Sequence, residues 1–239
     1  IGTMAGGIAH DFNNILAAIL GNVDLARQDA GEGSPALVSL TEIEKAGRRA
    51  RDLVRQILTF SRNESPRRST IRLADVVEET ARLLRVGLPP TVTLNVKIDP
   101  NTPPVLADET QVEQALLNLC TNAIQAIGAQ RGVVSIELGS GQPEAGEVER
   151  RESTREHYVT LAVRDTGEGI DPATLQRVFE PFFTTKPIGQ GTGLGLAVVH
   201  GVMRSHQGNV GVRSTPGQGS VFTLYFPPAE AVEPAVVVE

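Results

Sequence analysis

The stretch GGIAHDFNNIL, residues 6–16, sets a histidine, an aspartate and two asparagines around one phenylalanine, inside a run whose apolar residues recur at helical spacing. Ile8, Phe12, Ile15, Ile19 and Ala26 follow one another at intervals of 4, 3, 4 and 7, the stripe of a helix that packs on other helices. The spacing predicts one long helix over residues 3–29. Gly31, Gly33 and Pro35 break it, and a second helix is expected over 36–62 with Leu40, Ile43, Ala50, Leu53, Ile57 and Phe60 as its stripe. Each would span roughly 40 Å at ~1.5 Å per residue. Two such helices cannot bury both stripes alone. A four-helix bundle made by two copies of the chain is the economical solution.

Beyond Ser65-Pro66 the pattern changes. TVTLNVKI (91–98) alternates like a strand, and residues 108–127 read as a helix. VVSIEL (133–138) and YVTLAVRD (158–165) are expected strands on either side of a polar stretch, 139–157, which reads as a long exposed hairpin loop and is assigned no role. A further helix is expected over 194–206, then the strands NVGVRS (209–214) and SVFTLYF (220–226). Strands and helices intermix without strict alternation, which predicts an α/β sandwich with helices on one face. The expected division is a helical domain over 1–66, a sandwich over 67–228 and a tail over 229–239; the Ala/Pro/Glu composition of a linker begins at Pro227. There are no internal repeats.

Composition narrows the classes. The chain has 239 residues, 40% of them hydrophobic, and no apolar run approaches the ~18 residues of a membrane span. Its one cysteine, Cys120, excludes an internal disulfide framework, fits a reducing compartment and reads as a small buried thiol. The start at Ile1 carries no signal-peptide pattern, and a sensor or membrane anchor upstream is expected to lie outside this sequence. Net charge is −6, yet residues 45–68 carry +6 through Lys45, Arg48, Arg49, Arg51, Arg55, Arg62, Arg67 and Arg68 against Asp52 and Glu64. That is too little for a nucleic-acid patch. It suits a solvated helix face or a surface that steers an acidic protein partner.

His10 is the first chemical candidate. At ~100° per residue the apolar stripe clusters ~140–200° away from it, so His10 is expected to face solvent. Asn14, Ala17, Gly21 and Asp24 share its face, and small residues below an exposed histidine leave room for another protein to dock. Asp11 could accept the Nδ1 proton, fixing the tautomer and raising the nucleophilicity of Nε2. Asn14, one turn on, could orient a water but cannot act as a base. Taken alone, a solvated surface histidine beside a capping residue accounts for the same pattern.

Four further clusters bear on that choice. Asn118 and Asn122 lie one turn apart on one helical face, where side-chain oxygens can complete the shell of a Mg²⁺ that keeps waters and phosphate oxygens. In DTGEGI, Asp165 ends a strand and can accept a hydrogen bond from an exocyclic amine such as that of adenine, while Gly167 and Gly169 let the backbone bend around a ligand. In FEPFFTTK (179–186), three phenylalanines and a proline can anchor a mobile segment, and Lys186 offers a point charge to phosphates. GQGTGLGL places glycines at a helix start, an anion site, without the Gly-Lys-Ser/Thr of a Walker A motif or the third glycine of a dinucleotide fingerprint. Residues 179–191 would then form a lid.

In this order these motifs resemble the sensor histidine kinases of two-component signalling. HDFNN is similar to the phosphoacceptor box, NLCTNA to the N box, DTGEGI to the G1 box, FEPFF to the F box and GTGLGL to the G2 box, over residues 3 to about 227. The resemblance implies a helical hairpin forming a dimeric four-helix bundle, followed by a GHKL (gyrase-like) α/β sandwich with a mixed sheet. It implies ATP-dependent autophosphorylation of His10 at Nε2 with help from Asp11, then transfer to an aspartate of a response regulator. It also implies that Asn122 holds Mg²⁺ with Asn118 close by and that Asp165, with Gly167 and Gly169, binds adenine. Lys186, Gly191, Thr192, Gly193, Leu194 and Gly195 would surround the phosphates.

The AHDFNN form of the acceptor box is most similar to hybrid kinases, so the receiver domain would be separate or downstream in the same parent chain. The expected partners are a second copy and that receiver, with no nucleic acid and no direct membrane contact by this segment. The expected location is cytoplasmic, whether or not the parent is anchored. Residues 63–69 are the expected hinge, and the basic second helix with the small-residue face below His10 would dock the regulator. Three alternatives stay open: a gyrase-type ATP-driven machine, which has no use for HDFNN; an ATP-binding pseudokinase or scaffold; and a member in which Asn14 makes regulator dephosphorylation dominant. His157, His200 and His206 read as structural.

Overall fold

The computed structural model describes residues 2–31, 33–61, 66–143, 157–186 and 191–229, with side chains described from residue 14 onward except at 49 and 52–61. Two compact units divide the chain: Ile1–Glu64 with Thr184–Leu194, and Ser65–Phe183 with Gly195–Glu239.

The first unit contains the expected pair of helices, α1 (Gly2–Asp29) and α2 (Ala36–Ser61), packed as a hairpin. The turn uses Gly31 and Gly33 at φ of 67° and 84°, values that a side chain would strain. Gly47 lets the helices approach: a Cβ there would lie 2.8 Å from Leu20 Cδ2. Glu44 on α2 joins Arg27 of α1 (2.5 Å) and Arg48 of its own helix (2.6 Å), and the Arg48 hydrogen bond leads in holding its carboxyl below the usual range. Lys45 likewise pairs with Glu42, so part of the basic face is neutralised within α2.

As expected of two helices that cannot bury both stripes alone, described stripe residues remain exposed in this hairpin. Among the described side chains of α1, Leu16 and Val23 are buried, whereas Ile15 and Ile19 are 56% and 42% exposed. They line an open apolar groove of about 490 Å³ with Ala18, Asn22, Val23 and Leu40. The reason is geometric: one partner helix covers only a narrow arc of α1, and the adjacent arc is left over. The stripe positions Ile8, Phe12, Leu53, Ile57 and Phe60 lie outside the described side chains.

The second unit runs β1 (Ser69–Ile71), α3 (Leu73–Gly87), β2 (Val92–Ile98), β3 (Val105–Ala107), α4 (Glu109–Ile127), β4 (Gly132–Gly141), β5 (Tyr158–Asp165), α5 (Pro172–Leu175), α6 (Gly195–Ser205), β6 (Asn209–Thr215) and β7 (Gly219–Phe226). The main sheet has the order β2-β4-β5-β7-β6, with β2 parallel to β4 and every other pair antiparallel. Alternation buries Val134, Ile136 and Leu138 of β4 and Val159, Leu161 and Val163 of β5 under the helices, while Glu137 and Arg164 point to solvent. Val77 of α3, Leu116 and Leu119 of α4, and Val199 and Met203 of α6 complete one continuous core. This is the expected sandwich with a mixed sheet.

Three features differ from the sequence reading. The helix α3 was not anticipated, although Leu73, Val76, Val77, Thr80 and Ala81 are buried at helical spacing. The strands β1 and β3 form a separate two-stranded ribbon, Ser69 opposite Ala107. That pairing removes the downstream part of the expected hinge: the Arg67 amide donates to Asp108 Oδ2 (2.9 Å) and the Arg68 guanidinium donates to the Ser205 carbonyl. Residues 62–65, the upstream part, lie outside the described residues. So do 144–156 of the long loop, whose flanks β4 and β5 do pair as a hairpin, Gly141 opposite Tyr158. Tail residues 230–239 are likewise outside, whereas Ala229 still donates to the Pro104 carbonyl.

Candidate functional site

One face of α4 organises the site. Asp108 starts this helix by accepting from the Gln111 amide (3.2 Å). Leu119, Ala123 and Ile127 face the core, whereas Asn118, Asn122 and Ala126, four residues apart in turn, are only half-buried. These three align along about 12 Å of helix.

At the Ala126 end sits Asp165, the last residue of β5 and 5% exposed. Burial pushes its carboxyl above the ordinary range, and hydrogen bonds from the Gly167 and Ser220 amides pull it back. Both amides go to Oδ1, at 2.8 and 3.3 Å; Oδ2 accepts none among the described residues. That oxygen is a single acceptor in a nearly dry setting, suited to an amine donor. Gly167 is held there because a Cβ would stand 2.6 Å from the Ala126 carbonyl carbon and oxygen. Gly169, at φ 70°, turns the chain against the Thr215 carbonyl.

At the other end, Asn118 Nδ2 donates to the carbonyl of Gly195 (3.3 Å), the first residue of α6. A Cβ on Gly195 would be 3.7 Å from Asn122 Nδ2 and 4.0 Å from Asn118 Cγ. The Asn122 amide has no hydrogen bond among the described residues, so its oxygen is available as a ligand atom. The structure thus brings Asn118, Asn122 and Gly195 together, and Asp165, Gly167 and Gly169 one turn further on. The roles of Ala126 and of the Ser220 amide were missed. Extending the Asn118–Asn122 spacing by four residues would have found Ala126; nothing in the sequence points to Ser220.

Lys186, Gly191, Thr192, Gly193 and Leu194 belong to the first unit. Within it, the Lys186 amide donates to Thr184 Oγ1 (3.2 Å), and a Cβ on Gly191 would meet Thr184 Oγ1 at 2.6 Å and Lys186 Cδ at 3.1 Å. Thr192 Oγ1 accepts from the Leu194 amide (3.3 Å), and Gly193 has φ 65°. Residues 187–190 of the expected lid lie outside the described residues. Its three phenylalanines behave differently: Phe179 packs between His200 and Phe222, Phe183 lies under the Arg177 guanidinium (4.3 Å), and Phe182 is 64% exposed at φ 67°. Two of the three therefore make ring contacts here.

His10 and Asp11 fall on α1, with side chains outside those described, as does the expectation that His10 faces solvent. Asn14, Ala17, Gly21 and Asp24, one to four turns below, are exposed, and a Cβ on Gly21 would meet nothing within 4 Å. Cys120 is buried, its thiol pushed up to about 12 by desolvation, which disfavours the thiolate. His206 is buried: Nε2 accepts from the Asp108 amide (2.9 Å) and Nδ1 lies 2.7 Å from the Val202 carbonyl, the neutral tautomer of a structural histidine. No helix among the described residues is long and apolar enough to cross a membrane.

This geometry agrees with what the chain is similar to. Residues 107–230 match the histidine kinase-, DNA gyrase B- and HSP90-like ATPases, and residues 1–66 match the His Kinase A (phospho-acceptor) domain. The chain belongs to this ATPase family, in the form joined to a phospho-acceptor domain. Over 227 residues, 95% of the chain, it is 36% identical to sensor kinase CckA of Brucella abortus (strain 2308), covering 24% of that protein. It is 33% identical over 231 residues, again 95% of the chain, to the signal transduction histidine-protein kinase AtoS of Escherichia coli (strain K12), covering 35% of it. The crystal structure of full-length ShkA in complex with AMPPNP superposes with a TM-score of 0.75 at 25% identity, covering 95% of this chain and 46% of that one. The chain spans about a quarter to a third of the length of the two sequence relatives.

Proposed function

We propose that this chain is the core of a sensor histidine kinase. It transfers the γ-phosphoryl group of ATP to His10 and from there to an aspartate of a response regulator. The observation that carries the reading is the half-buried stripe of Asn118, Asn122 and Ala126, with one open carboxylate oxygen at one end and a glycine-started helix at the other.

In this reading Asp165 accepts from the adenine amine, and Gly167 and Gly169 shape the floor under the base. Lys186, Gly191, Thr192, Gly193, Leu194 and Gly195 surround the phosphates. Asn122, with Asn118, would hold Mg²⁺, which when bound supplies charge neutralisation on the phosphate oxygens; the free amide of Asn122 and the missing Cβ of Gly195 fit such an ion. His10 Nε2 forms the N–P bond as the bond from the γ-phosphorus to the ADP oxygen breaks, and ADP leaves with that electron pair. Asp11 holds the Nδ1 proton and spreads the imidazolium charge. Positioning supplies most of the acceleration.

The roles divide as a phosphoacceptor domain over 1–66, an ATP-binding domain over 67–228 and a tail over 229–239. Dimerisation through the apolar groove of α1 completes the bundle, and a receiver domain, separate or further along the parent chain, docks on the small-residue face. The kinase works on the cytoplasmic side.

The test is incorporation of γ-labelled phosphate from Mg·ATP into the chain and into His10→Gln. An acid-labile, alkali-stable label that disappears in the variant is the expected result. ATP binding without any label, or a label that survives His10→Gln, overturns the reading. The exposure of Asn14 keeps regulator dephosphorylation as a second activity; an Asn14→Ala variant that clears phosphorylated regulator at the parent's rate removes it.

A further inference from the structure

The helices α4 and α6 run antiparallel, and their two ends do different things. Gly195, opening α6, meets Asn118 and Asn122. About 16 Å away, at ~1.5 Å per residue over α6, the closing end of α6 meets the opening end of α4. There the Asp108 amide donates to His206 Nε2 (2.9 Å), and Ser205 Oγ donates to Gln111 Oε1 (3.3 Å). The segment that follows α2 is tied into the same cluster. The Arg67 amide donates to Asp108 Oδ2 (2.9 Å), and the Arg68 guanidinium donates to the Ser205 carbonyl.

Each charge sits where a helix favours it. Asp108 caps the positive start of α4, and Arg68 satisfies a carbonyl at the negative end of α6. An arginine spent on one helix carbonyl, and the second oxygen of a capping aspartate spent on the Arg67 amide, are more than a connecting strand requires, since the ribbon of β1 and β3 already holds residues 69–71.

We infer that Arg67, Arg68, Asp108, Ser205 and His206 form a clasp that fixes the chain where it enters this unit at Arg67 and couples displacement of that entry point to the α4–α6 pair carrying Asn118, Asn122 and Gly195. Arg68 is its positioning residue. The consequence for phosphoryl transfer rests on the kinase reading above. Loosening the clasp leaves the nucleotide seat assembled but uncouples it from the segment that leads to His10, so turnover falls while nucleotide affinity holds.

The experiment follows autophosphorylation of the 239-residue chain against ATP concentration, for the parent, Arg68→Met and Arg68→Lys. In Arg68→Met, kcat is expected to fall about threefold or more with KM within about twofold, and Arg68→Lys, which can still donate to the Ser205 carbonyl, recovers at least about half of the loss. An unchanged kcat overturns the clasp. So does a joint loss of kcat, KM and thermal midpoint that lysine fails to rescue, the mark of a merely structural residue. A parent chain that binds ATP and takes no label overturns the kinase reading alone. Amide exchange then judges the clasp: exchange at Arg67 and Asp108 must rise about tenfold in Arg68→Met, and unchanged protection there overturns it.

Discussion

The helical hairpin and the α/β sandwich bury apolar surface on different terms. In the sandwich, every strand of the main sheet and three helices contribute to one core, with Leu161, Leu119 and Met203 at 0–1% exposure. In the hairpin, Leu16 and Val23 are buried while Ile15, Ile19, Leu25, Val38 and Ile43 are 42–72% exposed. Each exposed side chain forgoes part of the ~1.5–3 kcal/mol that burial would give it. A sheet covered on one face by helices closes its own core; two helices have a second apolar arc and nothing to put on it. The sandwich closes its core within one chain. The hairpin leaves apolar side chains exposed among its described residues.

Perturbing each unit in turn sharpens the contrast. The largest effect belongs to the proposed acceptor: His10→Gln removes all label, while ATP affinity, to which His10 is not proposed to contribute, stays within about twofold. Next, Asp165→Asn turns the open acceptor Oδ2 into a donor facing the amine. Nucleotide affinity measured by calorimetry should fall about 10–100-fold, with helical content unchanged. On the hairpin, Ile19→Asp places a charge in the groove, and sedimentation should show the dimer dissociation constant rising about tenfold or more. An unaltered dimer would mean that the groove faces something else.

Gly167→Ala brings a methyl group against the Ala126 carbonyl and should cost the sandwich about 1–3 kcal/mol in denaturant unfolding, without weakening the dimer. The smallest effect is in pH. Burial lowers the folded pKa of His206, against the pull of its Val202 hydrogen bond. Its contribution is therefore intact above the unfolded value of ~6.5 and is lost as pH falls from there toward the folded value, by at most about 1.4 kcal/mol per unit crossed. Comparing thermal unfolding with His206→Gln from pH 7 to 5 should show the parent's stability falling faster.

How far the sequence could be read differs between the units for the same reason. The helices of the hairpin are long and periodic, so α1 and α2 emerge close to their observed bounds. Which arc of α1 meets α2 depends on small contacts such as Leu20 against Gly47, and periodicity alone did not single out Leu16 and Val23, rather than Ile15 and Ile19, as residues buried within one chain. In the sandwich, β2, β4, β5, β6 and β7 were legible from alternation. The helix α3 escaped because its periodicity, Leu73, Val76, Val77, Thr80, Ala81, begins immediately after the very short β1. The candidate site was legible where its residues are close in sequence: Asn118 with Asn122, and Asp165 with Gly167 and Gly169. The amide of Ser220, 55 residues from Asp165, was not, because a backbone donor leaves no mark in the residue type.

The sequence by itself determined the division into a helical hairpin and a mixed sandwich, and it named the side chains able to do chemistry, because periodicity and residue type are local properties. Only the tertiary structure decided which of those side chains meet. It turned three residues of α4 into one wall, left Oδ2 of Asp165 open by spending two amides on Oδ1, and fastened Arg67 and Arg68 to helix ends far along the chain. Such outcomes depend on strand order and helix packing, which bring together groups whose separation in sequence carries no signal.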